Sequence, residues 1–408
     1  MLHFDSDYME GAHPAVIERL AATNLDQTSG YGTDEVCESA RDRIRTACTA
    51  PEAAVYFLVG GTQANIVALD QLLRPWEGVV AANTGHINGH EAGALEGLGH
   101  KILPLPHHQG KLDAEEVRAL AEAYWGDENR DHMVAPGVVY ISQPTEYGTV
   151  YSLPELEALS QVCRDFALRL FVDGARLGYG LAAQLPEGVA VPALPGLARL
   201  ADGFYIGGTK VGALFGEAVV FPHPAAPANL ASTSFGCRLP EADRIRALAL
   251  RTCEPLDSHF FTIVKKRGAL LAKGRMLGIQ FDELFKPNGA EGADAAEGGE
   301  SVSVVEAVGD AGAAANASDE TRYLACGRHG VQQAQKLQRA FVDAGYELAM
   351  ESPTNQVFPI FTDADRQRLA PHVTYGFWER TPDGRTVTRF ACSWATRPED
   401  VDALIALL

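Results

Sequence analysis

Two short segments of the sequence contain side chains that could carry out chemistry together. Lys210 closes a Gly-Gly-Thr-Lys run directly after the apolar residues 204–206, and Asp173 ends a second apolar run at residues 171–173. A lysine at the end of a buried strand can form an imine with an aldehyde, and an aspartate on a neighbouring strand can hold a protonated ring nitrogen. Pyridoxal 5'-phosphate (PLP) needs both groups, so the two segments predict a PLP site.

Each of these residues also has an ordinary explanation. Most lysines are solvated, and an aspartate at a strand end often begins a turn. Lys210, however, lies among glycines between two apolar runs, where burial would lower its pKa and supply the neutral amine. Arg176, three residues after Asp173, could bind a carboxylate through its planar guanidinium group or be a surface charge.

A glycine turn provides a candidate phosphate site. Gly60, Gly61 and Thr62 follow the apolar residues 55–58 and precede a predicted helix. Backbone N–H groups at the start of a helix attract anions, and glycine lets an anion approach them closely. An ordinary turn in which Thr62 caps the helix explains the same residues, so the turn alone does not decide between the two interpretations.

His86 follows another predicted strand and is a further candidate. An imidazole at this place could stack on a pyridine ring and handle a substrate proton. The rival interpretation is a metal site, because His86, His90 and Glu91 are all ligand types. Their order is not His-Glu-x-x-His and no third ligand segment stands out, so we expect no metal. A structural role is the ordinary explanation for His90.

The spacing of apolar runs predicts an α/β fold. Short apolar runs without strict alternation are typical of strands covered on both faces, as in parallel sheets. They occur at residues 54–58, 78–82, 102–105, 138–142, 170–173, 203–206 and 218–221. Between them lie helical patterns, of which the clearest begins with a capping box of Ser152 and Glu155 and runs to about Leu168. Ligands of such sheets collect beyond the carboxyl ends of the strands.

The chain is expected to divide into a large PLP-binding domain with an N-terminal segment, residues 1–258, and a small α+β domain, residues 259–408. The small domain is predicted to contain helices at 265–278, 323–344 and 399–408 and strands at 346–350, 356–361 and 386–393. Residues 287–319 contain seven acidic residues and no aromatic, lysine or arginine, which predicts a mobile acidic insertion. Residues 222–258 are predicted to be an irregular surface excursion.

The composition restricts the partners and the compartment. The chain of 408 residues has 34 basic and 53 acidic residues, a net charge of −19 that argues against nucleic acid. Its seven cysteines are scattered and odd in number, which favours a reducing cytoplasm over a disulfide framework. A membrane helix needs about 20 continuous apolar residues, and the sequence has no such stretch, so we expect a soluble protein.

Taken together, the segments Gly61-Thr62, His86, Asp173-Gly174-Ala175-Arg176 and Thr209-Lys210-x-Gly212 resemble the threonine aldolase and β-eliminating lyase family of fold-type I PLP-dependent enzymes. The resemblance extends over nearly the whole chain, from residues 4–7 through 30–33 to 387–390. It implies a mostly parallel central sheet with helices on both faces and a smaller C-terminal α+β domain. It also implies a homodimer or homotetramer with active sites at subunit interfaces. The segments 222–258 and 287–319 depart from the family pattern.

The resemblance implies roles in cofactor binding for several residues. Lys210 would hold the cofactor covalently, and Asp173 would face its pyridine nitrogen. His86 would stack on the ring. Gly61 and Thr62 would form the phosphate turn.

Other residues would bind the substrate. The resemblance implies that Ser6, Arg176 and Arg389 hold the substrate carboxylate, and that Tyr31 and a basic residue near 265–273 serve a neighbouring subunit. Many low-specificity threonine aldolases have a histidine that contacts the β-hydroxyl group in the loop where this chain has Glu146. The resemblance therefore supports the cofactor more firmly than the substrate.

The function implied is the cleavage of a β-hydroxy-α-amino acid such as threonine to glycine and an aldehyde. The base would be His86 or a water held near it, with Glu146 as a contributor. β-Elimination, decarboxylation and transamination remain alternatives on the same cofactor. Alternatives from other classes are a metal-dependent hydrolase that uses His86, His90 and Glu91, and a non-catalytic binding protein.

Overall fold

The computed structural model describes residues 1–224, 236–252, 255–289 and 320–408. The predicted acidic insertion at 287–319 lies outside the described residues from position 290 onward. Parts of the predicted excursion at 222–258 lie outside them as well. Elements are numbered in chain order.

The helices and strands are as follows. The strands are β1 (Leu2–His3), β2 (Ala54–Leu58), β3 (Glu77–Ala82), β4 (Ile102–Leu105), β5 (Ala135–Ser142), β6 (Arg169–Asp173), β7 (Gly203–Gly207), β8 (Glu217–Phe221), β9 (Gln356–Val357), β10 (Ile360–Phe361), β11 (Val373–Thr374), β12 (Gly376–Arg380) and β13 (Thr386–Ala391). The helices are α1 (Pro14–Ala22), α2 (Glu35–Ala47), α3 (Gly61–Leu72), α4 (His86–Gly89), α5 (Ala114–Gly126), α6 (Leu153–Asp165), α7 (Leu177–Leu181), α8 (Leu194–Leu200), α9 (Glu241–Thr252), α10 (Phe260–Lys266), α11 (Arg275–Leu284), α12 (Arg322–Asp343), α13 (Asp363–Leu369) and α14 (Pro398–Ile405).

A seven-stranded sheet in the order β2-β8-β7-β6-β5-β3-β4 forms the centre of the protein. The pairs β3–β4, β3–β5, β5–β6 and β6–β7 are parallel, whereas β8 is antiparallel to both of its neighbours. All seven predicted strands are present, and the mostly parallel α/β fold is confirmed. Because β3, β5, β6 and β7 run in the same direction, their carboxyl ends meet at one edge of the sheet.

Apolar helices cover both faces of this sheet. One core cluster packs α6 and α8 on one face, with Leu156, Leu159 and Leu197 buried. A second core cluster packs α3 and α10 on the opposite face and contains buried residues such as Val67 and Phe260. Burial on both faces explains why the strands have continuous rather than alternating apolar runs.

Helix α6 begins as the sequence predicts. Ser152 is its N-cap, and the capping box with Glu155 is present, because the Glu155 carboxylate accepts the Ser152 N–H at 2.8 Å. The helix ends at Asp165, a few residues before the predicted end. Its C-terminal turn leads directly into β6, which ends at Asp173.

The small domain is only partly as predicted. The prediction of a strand at 346–350 is wrong, because Leu348 forms only an isolated bridge with Pro359 in this segment. The strand expected at 356–361 is divided into β9 and β10, because Pro359 has no N–H group to donate to the ladder. Strand β12 and helix α13 were not predicted, whereas α12, β13 and α14 are confirmed within a few residues.

The segment after β8 also differs from expectation. Residues 241–252 form the helix α9, where an irregular excursion was predicted, and the Pro240 carbonyl oxygen accepts the N–H of Arg244 at its start. The helix predicted at 265–278 is two helices, α10 and α11. Gly268, with a φ of 70°, follows the first of them, because glycine adopts this left-handed conformation without strain.

Helices α10 and α11 pack on the large sheet, and α11 also contacts α12 of the predicted small domain through the buried Glu283–Arg322 ion pair. Phe260 and Val264 belong to the same core cluster as α3, and Phe281 and Leu284 belong to the cluster on the other face. The division at residue 258 therefore stays a prediction. None of the helices in the described ranges is long and apolar enough to cross a membrane.

Candidate active site

A cavity of about 300 Å³ opens at the carboxyl edge of the central sheet. Most of the residues predicted from the sequence line it: Gly61, Thr62, His86, Glu146, Asp173, Arg176 and Lys210. Gly60, Ala175 and Thr209, from the same predicted segments, also line it. Residues that the sequence did not single out complete the wall: Tyr8, Val59, Ser142, Pro144, Tyr205, Phe215 and Glu217. Segments far apart in the sequence thus meet at one place, as the parallel topology requires.

Asp173 is a buried carboxylate surrounded by hydrogen-bond donors. It is 4% exposed and accepts hydrogen bonds from the hydroxyl groups of Tyr140 and Tyr205, from Asn65 Nδ2 at 2.9 Å and from the Ala175 N–H at 3.0 Å. Burial raises the pKa of the carboxyl group, but nearby His86 and the two hydroxyl groups outweigh burial and lower the pKa below its ordinary value. Asp173 is therefore held as an anion.

Gly174 keeps this carboxylate in place. A Cβ atom at position 174 would lie 1.9 Å from the carbonyl oxygen of Tyr205, which is far inside contact distance. The close approach allows Gly207 N to donate to Gly174 O at 2.9 Å. Glycine at this position is thus required by the packing of β6 against β7.

Lys210 also lines the cavity. Burial and the neighbouring Arg176 charge lower its pKa to about 8. Its Nζ atom is 5.8 Å from the centre of the Tyr8 ring. A lysine with this pKa has a substantial neutral fraction near neutral pH, so its amine can attack a carbonyl group.

Glu217 is the main group that the sequence did not reveal. It is 3% exposed, and it accepts the Gly208 N–H at 3.0 Å and the Thr209 hydroxyl at 2.9 Å. These two bonds fix the loop that presents Lys210. Burial raises the pKa of Glu217 to about 8.

His86 is connected to Asp173 through a chain of hydrogen bonds. Its Nδ1 atom lies 2.8 Å from Oε1 of the buried Glu91. Asn65 Nδ2 donates to the same Glu91 oxygen at 2.8 Å and also to Asp173. Burial lowers the pKa of His86, but Glu91 and Asp173 outweigh burial, so the pKa is raised overall.

The geometry does not favour the metal site. Glu91 is engaged with His86 and Asn65, and the His86 and His90 rings are 5.6 Å apart between centroids. Within the described part of the chain, no group of three or more His, Cys, Asp and Glu side chains is placed to hold a metal ion.

Glu146 lies beside His86 as expected of a substrate contact. Its Oε1 atom accepts the His86 backbone N–H at 2.9 Å and the Ser142 hydroxyl at 2.7 Å. Burial raises the pKa of the carboxyl group. Glu146 is therefore a better proton acceptor than an exposed glutamate.

The glycine turn has the geometry of an anion site. Helix α3 begins at Gly61 with Gly60 as N-cap, and no side chain of the described residues caps its N-terminal N–H groups. Thr62 lies inside the helix, which removes the interpretation that it is the N-cap. The first N–H groups of α3 are thus left without a side-chain cap at the cavity, as a phosphate ligand requires.

Arg176 is already held by a carboxylate of this chain. Its Nε and Nη2 atoms donate to the two oxygens of the fully buried Asp7 at 2.7 and 3.0 Å. Asn355 Nδ2 donates to the same carboxylate at 2.9 Å. Arg176 therefore keeps its Nη1 group and one hydrogen of Nη2 for a ligand, and Asp7 fixes its orientation.

Ser6 and Arg389 are not among the residues that line the cavity. The Ser6 hydroxyl and the Arg389 Nε atom are both buried without a hydrogen-bond partner among the described residues. Arg389 Nη2 donates to the Asp5 carbonyl oxygen at 3.1 Å, and burial together with the Arg176 charge lowers the pKa of Arg389. Buried donors without a partner among the described residues suit a polar ligand such as a carboxylate.

Tyr31 is a predicted site residue that the structure does not bring to the cavity. It lies in a separate groove of about 100 Å³, with Lys265 Nζ 5.0 Å from the centre of its ring. Tyr31 is 46% exposed. The prediction that it serves a neighbouring subunit stays a prediction.

Replacing Asp7 by asparagine should destabilise the protein by about 3 kcal/mol, because it leaves the buried Arg176 charge without its partner. Burial raises the pKa of Asp7, but Arg176 outweighs burial and lowers the pKa well below its ordinary value. The Asp7 contribution is therefore fully present above about pH 4 and is lost as the pH falls further.

Urea unfolding of both proteins between about pH 7 and pH 3 measures this effect. Asp5→Asn is the control: its carboxyl group is 42% exposed, and the change should be less than about 1 kcal/mol. Equal stability of the Asp7→Asn variant and the native protein at neutral pH would contradict the assigned pair.

Comparison with known proteins places this chain in a family. The sequence profile of the beta-eliminating lyases matches residues 3–361. The chain belongs to the beta-eliminating lyase family. It is 34% identical over 221 residues to the low specificity L-threonine aldolase of Pseudomonas aeruginosa. This alignment covers 53% of the chain and 61% of that relative.

Solved structures agree with this assignment. The threonine aldolase of Leishmania major is 32% identical, with a TM-score of 0.80 over 100% of this chain and 98% of that chain. Aspartate aminotransferase from Thermus thermophilus is 13% identical, with a TM-score of 0.59 over 100% of this chain and 90% of that chain, and shows the fold alone. The predicted family and the fold-type I architecture are thereby confirmed.

Proposed function

We propose that this lyase-family protein cleaves a β-hydroxy-α-amino acid, with threonine or allo-threonine as the simplest substrate, to glycine and an aldehyde with PLP as cofactor. The observation that supports it most is the convergence of the anionic Asp173 and the partly neutral Lys210 on one cavity. The names of the Pseudomonas and Leishmania relatives favour the same substrate class.

The residues present fit PLP. Lys210 would hold it through its amine, Asp173 would face its ring nitrogen, and the uncapped N-terminus of α3 at Gly61 and Thr62 would hold its phosphate. His86 would lie against the ring. When bound, PLP supplies an electron sink for the electron pair of the bond that breaks.

Side chains of the protein would determine that the Cα–Cβ bond of the substrate is the one that breaks. Arg176 Nη1, the unused Arg389 Nε and the Ser6 hydroxyl would hold the substrate carboxylate. A carboxylate fixed by these groups would orient the substrate so that its Cα–Cβ bond is the one placed for cleavage. Asp7 contributes indirectly by fixing the Arg176 side chain.

A base must remove the proton of the β-hydroxyl group. His86 is the first candidate, because Glu91 holds its Nδ1 atom, and Nε2 has no hydrogen bond to another described residue. Glu146, next to it, would bind the hydroxyl group or share the proton. A positioned base of this kind typically contributes about 10²–10⁴-fold in rate.

Glu146→Gln should lower kcat for threonine cleavage by about tenfold to a hundredfold. The amide oxygen of the substituted side chain can still accept the His86 N–H and the Ser142 hydroxyl, so the loop keeps its shape. Since burial raises the pKa of Glu146 above its ordinary value of 4.5, its protonation should produce an acidic limb in the native pH profile above that pH, and the variant should lack this limb.

The measurement is kcat between about pH 5 and pH 9, with the exposed Glu187→Gln as matched control. An unchanged kcat together with an unchanged acidic limb would exclude Glu146 from proton transfer.

Product analysis tests the proposed function. The purified protein, supplied with PLP, is incubated with L-threonine and with L-allo-threonine. Equimolar glycine and acetaldehyde support the aldolase. Release of 2-oxobutanoate and ammonia instead would support the β-eliminating lyase, which the family name favours as the second candidate. A need for an amino-group acceptor would indicate a transaminase.

We also propose a cytoplasmic homodimer or homotetramer. The six cysteines of the described residues are free thiols, which is consistent with a reducing compartment. The pairing of Tyr31 with Lys265 in a shallow groove outside the cavity supports a role for both residues at the site of a neighbouring subunit.

A further inference from the structure

A second cavity, of about 430 Å³, lies at the opposite end of the central sheet. Its wall includes Glu77 and Arg169, which begin β3 and β6, and Ala135, which begins β5. The candidate active site lies at the other ends of these strands. The second cavity is therefore separate from it, and its volume is within the usual range of ligand sites, about 300–1,000 Å³.

The cavity has a local excess of positive charge in a chain whose net charge is −19. Its charged side chains are four arginines and three acidic residues: Arg74, Arg130, Arg169, Arg246, Glu77, Asp131 and Asp243. Asp243 is 3.5 Å from Arg130, and Glu77 accepts the Arg74 backbone N–H at 2.9 Å. The guanidinium groups of Arg74 and Arg246 make no hydrogen bond or ion pair within the described ranges.

Aromatic side chains form another part of the wall. Trp76 is 59% exposed, and the Tyr124 and Trp125 rings meet edge to face at 5.2 Å. Arg130 lies 5.7 Å from the centre of the Trp125 ring. The Trp125 Nε1 atom is buried and has no acceptor among the residues that the structure describes. An indole N–H is a donor only, so this group needs an acceptor.

One side of the cavity comes from the segment that departs from the family pattern. Leu239, Asp243, Arg246 and Ala247 all belong to residues 222–258. This segment is attached to the large domain where Gly236 N donates to Arg164 O at 2.8 Å and Arg238 N donates to Asp165 O at 3.1 Å. The segment therefore adds a concave surface that the rest of the chain does not form alone.

We propose that this cavity binds a small organic anion in which a carboxylate or phosphate group is attached to a planar ring. Arg74 and Arg246, whose guanidinium groups have no partner among the described residues, would bind the anionic group, since guanidinium groups match both anions in geometry. Trp76, Tyr124 and Trp125 would contact the ring. The proposal does not depend on the activity of the lyase site.

Isothermal titration calorimetry on the full-length, cofactor-loaded protein tests the site. The probes are benzoate for a carboxylate on a ring, adenosine 5'-monophosphate for a phosphate on a ring, and inorganic phosphate for the anion alone. We expect one of the two ring-bearing probes to bind at least about tenfold more tightly than inorganic phosphate, because stacking on the aromatic wall adds to the anionic contacts. The tighter probe identifies the anionic group.

Three variants locate the binding. Arg74→Gln and Arg246→Gln should each weaken the tighter probe by about tenfold, because each removes one charge-assisted contact. Trp76→Ala removes an exposed ring from the wall, and it should also weaken binding. Arg244→Gln, an exposed arginine on the same helix α9 that does not line the cavity, is the matched control and should bind normally. The activity of all four proteins should equal that of the native enzyme.

Three results would overturn the proposal. One is the absence of binding heat from both ring-bearing probes at millimolar concentration. Another is binding of inorganic phosphate as tight as that of the ring-bearing probes. The third is native affinity in the Arg74→Gln and Arg246→Gln variants, which would put the ligand elsewhere.

Discussion

Lys210→Ala should lower threonine cleavage by at least about 10³-fold, the largest loss expected from a single substitution in this chain. Among the described residues, Lys210 is the only lysine that lines the cavity at the carboxyl edge of the sheet. The uncapped N-terminus of α3 remains in the variant, so weak PLP binding through the phosphate should persist. Steady-state kinetics and equilibrium dialysis with PLP measure the two effects.

The pH dependence of PLP binding provides a second test of Lys210. Burial lowers the pKa of Lys210 to about 8, and only the neutral amine attacks an aldehyde. The rate at which the cofactor-free protein recombines with PLP should therefore rise with pH up to about 8 and then level off. Lys266→Ala, an exposed lysine that does not line the cavity, is the control and should behave like the native protein. Turnover by the Lys210→Ala variant at more than a tenth of the native rate would contradict the assigned role.

Asp173→Asn should reduce kcat by about 10³-fold, because the anion that stabilises a protonated ring nitrogen is removed from a buried site. The Asp173 carboxylate accepts hydrogen bonds from four donors, and the NH₂ group of an asparagine cannot accept any of them. These donors are the side chains of Asn65, Tyr140 and Tyr205 and the Ala175 N–H. At least one donor then loses its acceptor, which costs about 1–3 kcal/mol of stability.

The control for Asp173→Asn separates stability from chemistry. Asp202 is another buried carboxylate, 4% exposed, and it accepts the Leu170 N–H at 2.9 Å near the start of β6. Asp202→Asn should lower the melting temperature but leave kcat within about twofold. If Asp173→Asn retains native kcat after correction for the folded fraction, Asp173 does not act on the cofactor.

The strands and the two central site residues were predictable from sequence for a physical reason. Strands β5, β6 and β7 are buried on both faces, so their apolar runs are continuous, and a polar residue at the end of such a run stands out. Asp173 and Lys210 are of this kind. Parallel topology then brings the ends of neighbouring strands together.

The residues that surround Asp173 and Lys210 were not predictable in the same way. Tyr140 and Tyr205 lie within apolar strands and resemble ordinary core residues, and only the order β7-β6-β5 places both beside Asp173. Glu217 begins β8 like any charged residue at a strand end. Glu217 lies opposite Gly207 in the antiparallel pair of β7 and β8, and this pairing places its side chain at the loop that contains Lys210.

The small domain was harder to predict because its strands are short. Strands β9 and β10 have two residues each, and Pro359 separates them. Their stability comes from pairing with β13, a contact distant in sequence. Asp7 could have been found, since it lies in the N-terminal segment that resembles the family, but its pairing with Arg176 depends on the folded chain.

The most direct test of the proposed cofactor site is to find which lysine bonds to PLP. The purified protein is loaded with PLP, reduced with borohydride, digested and analysed by mass spectrometry. We predict a visible absorption band that borohydride bleaches, and the reduced cofactor attached to the peptide that contains Lys210. Attachment to another lysine, or a protein that remains colourless with PLP in excess, would contradict the central claim.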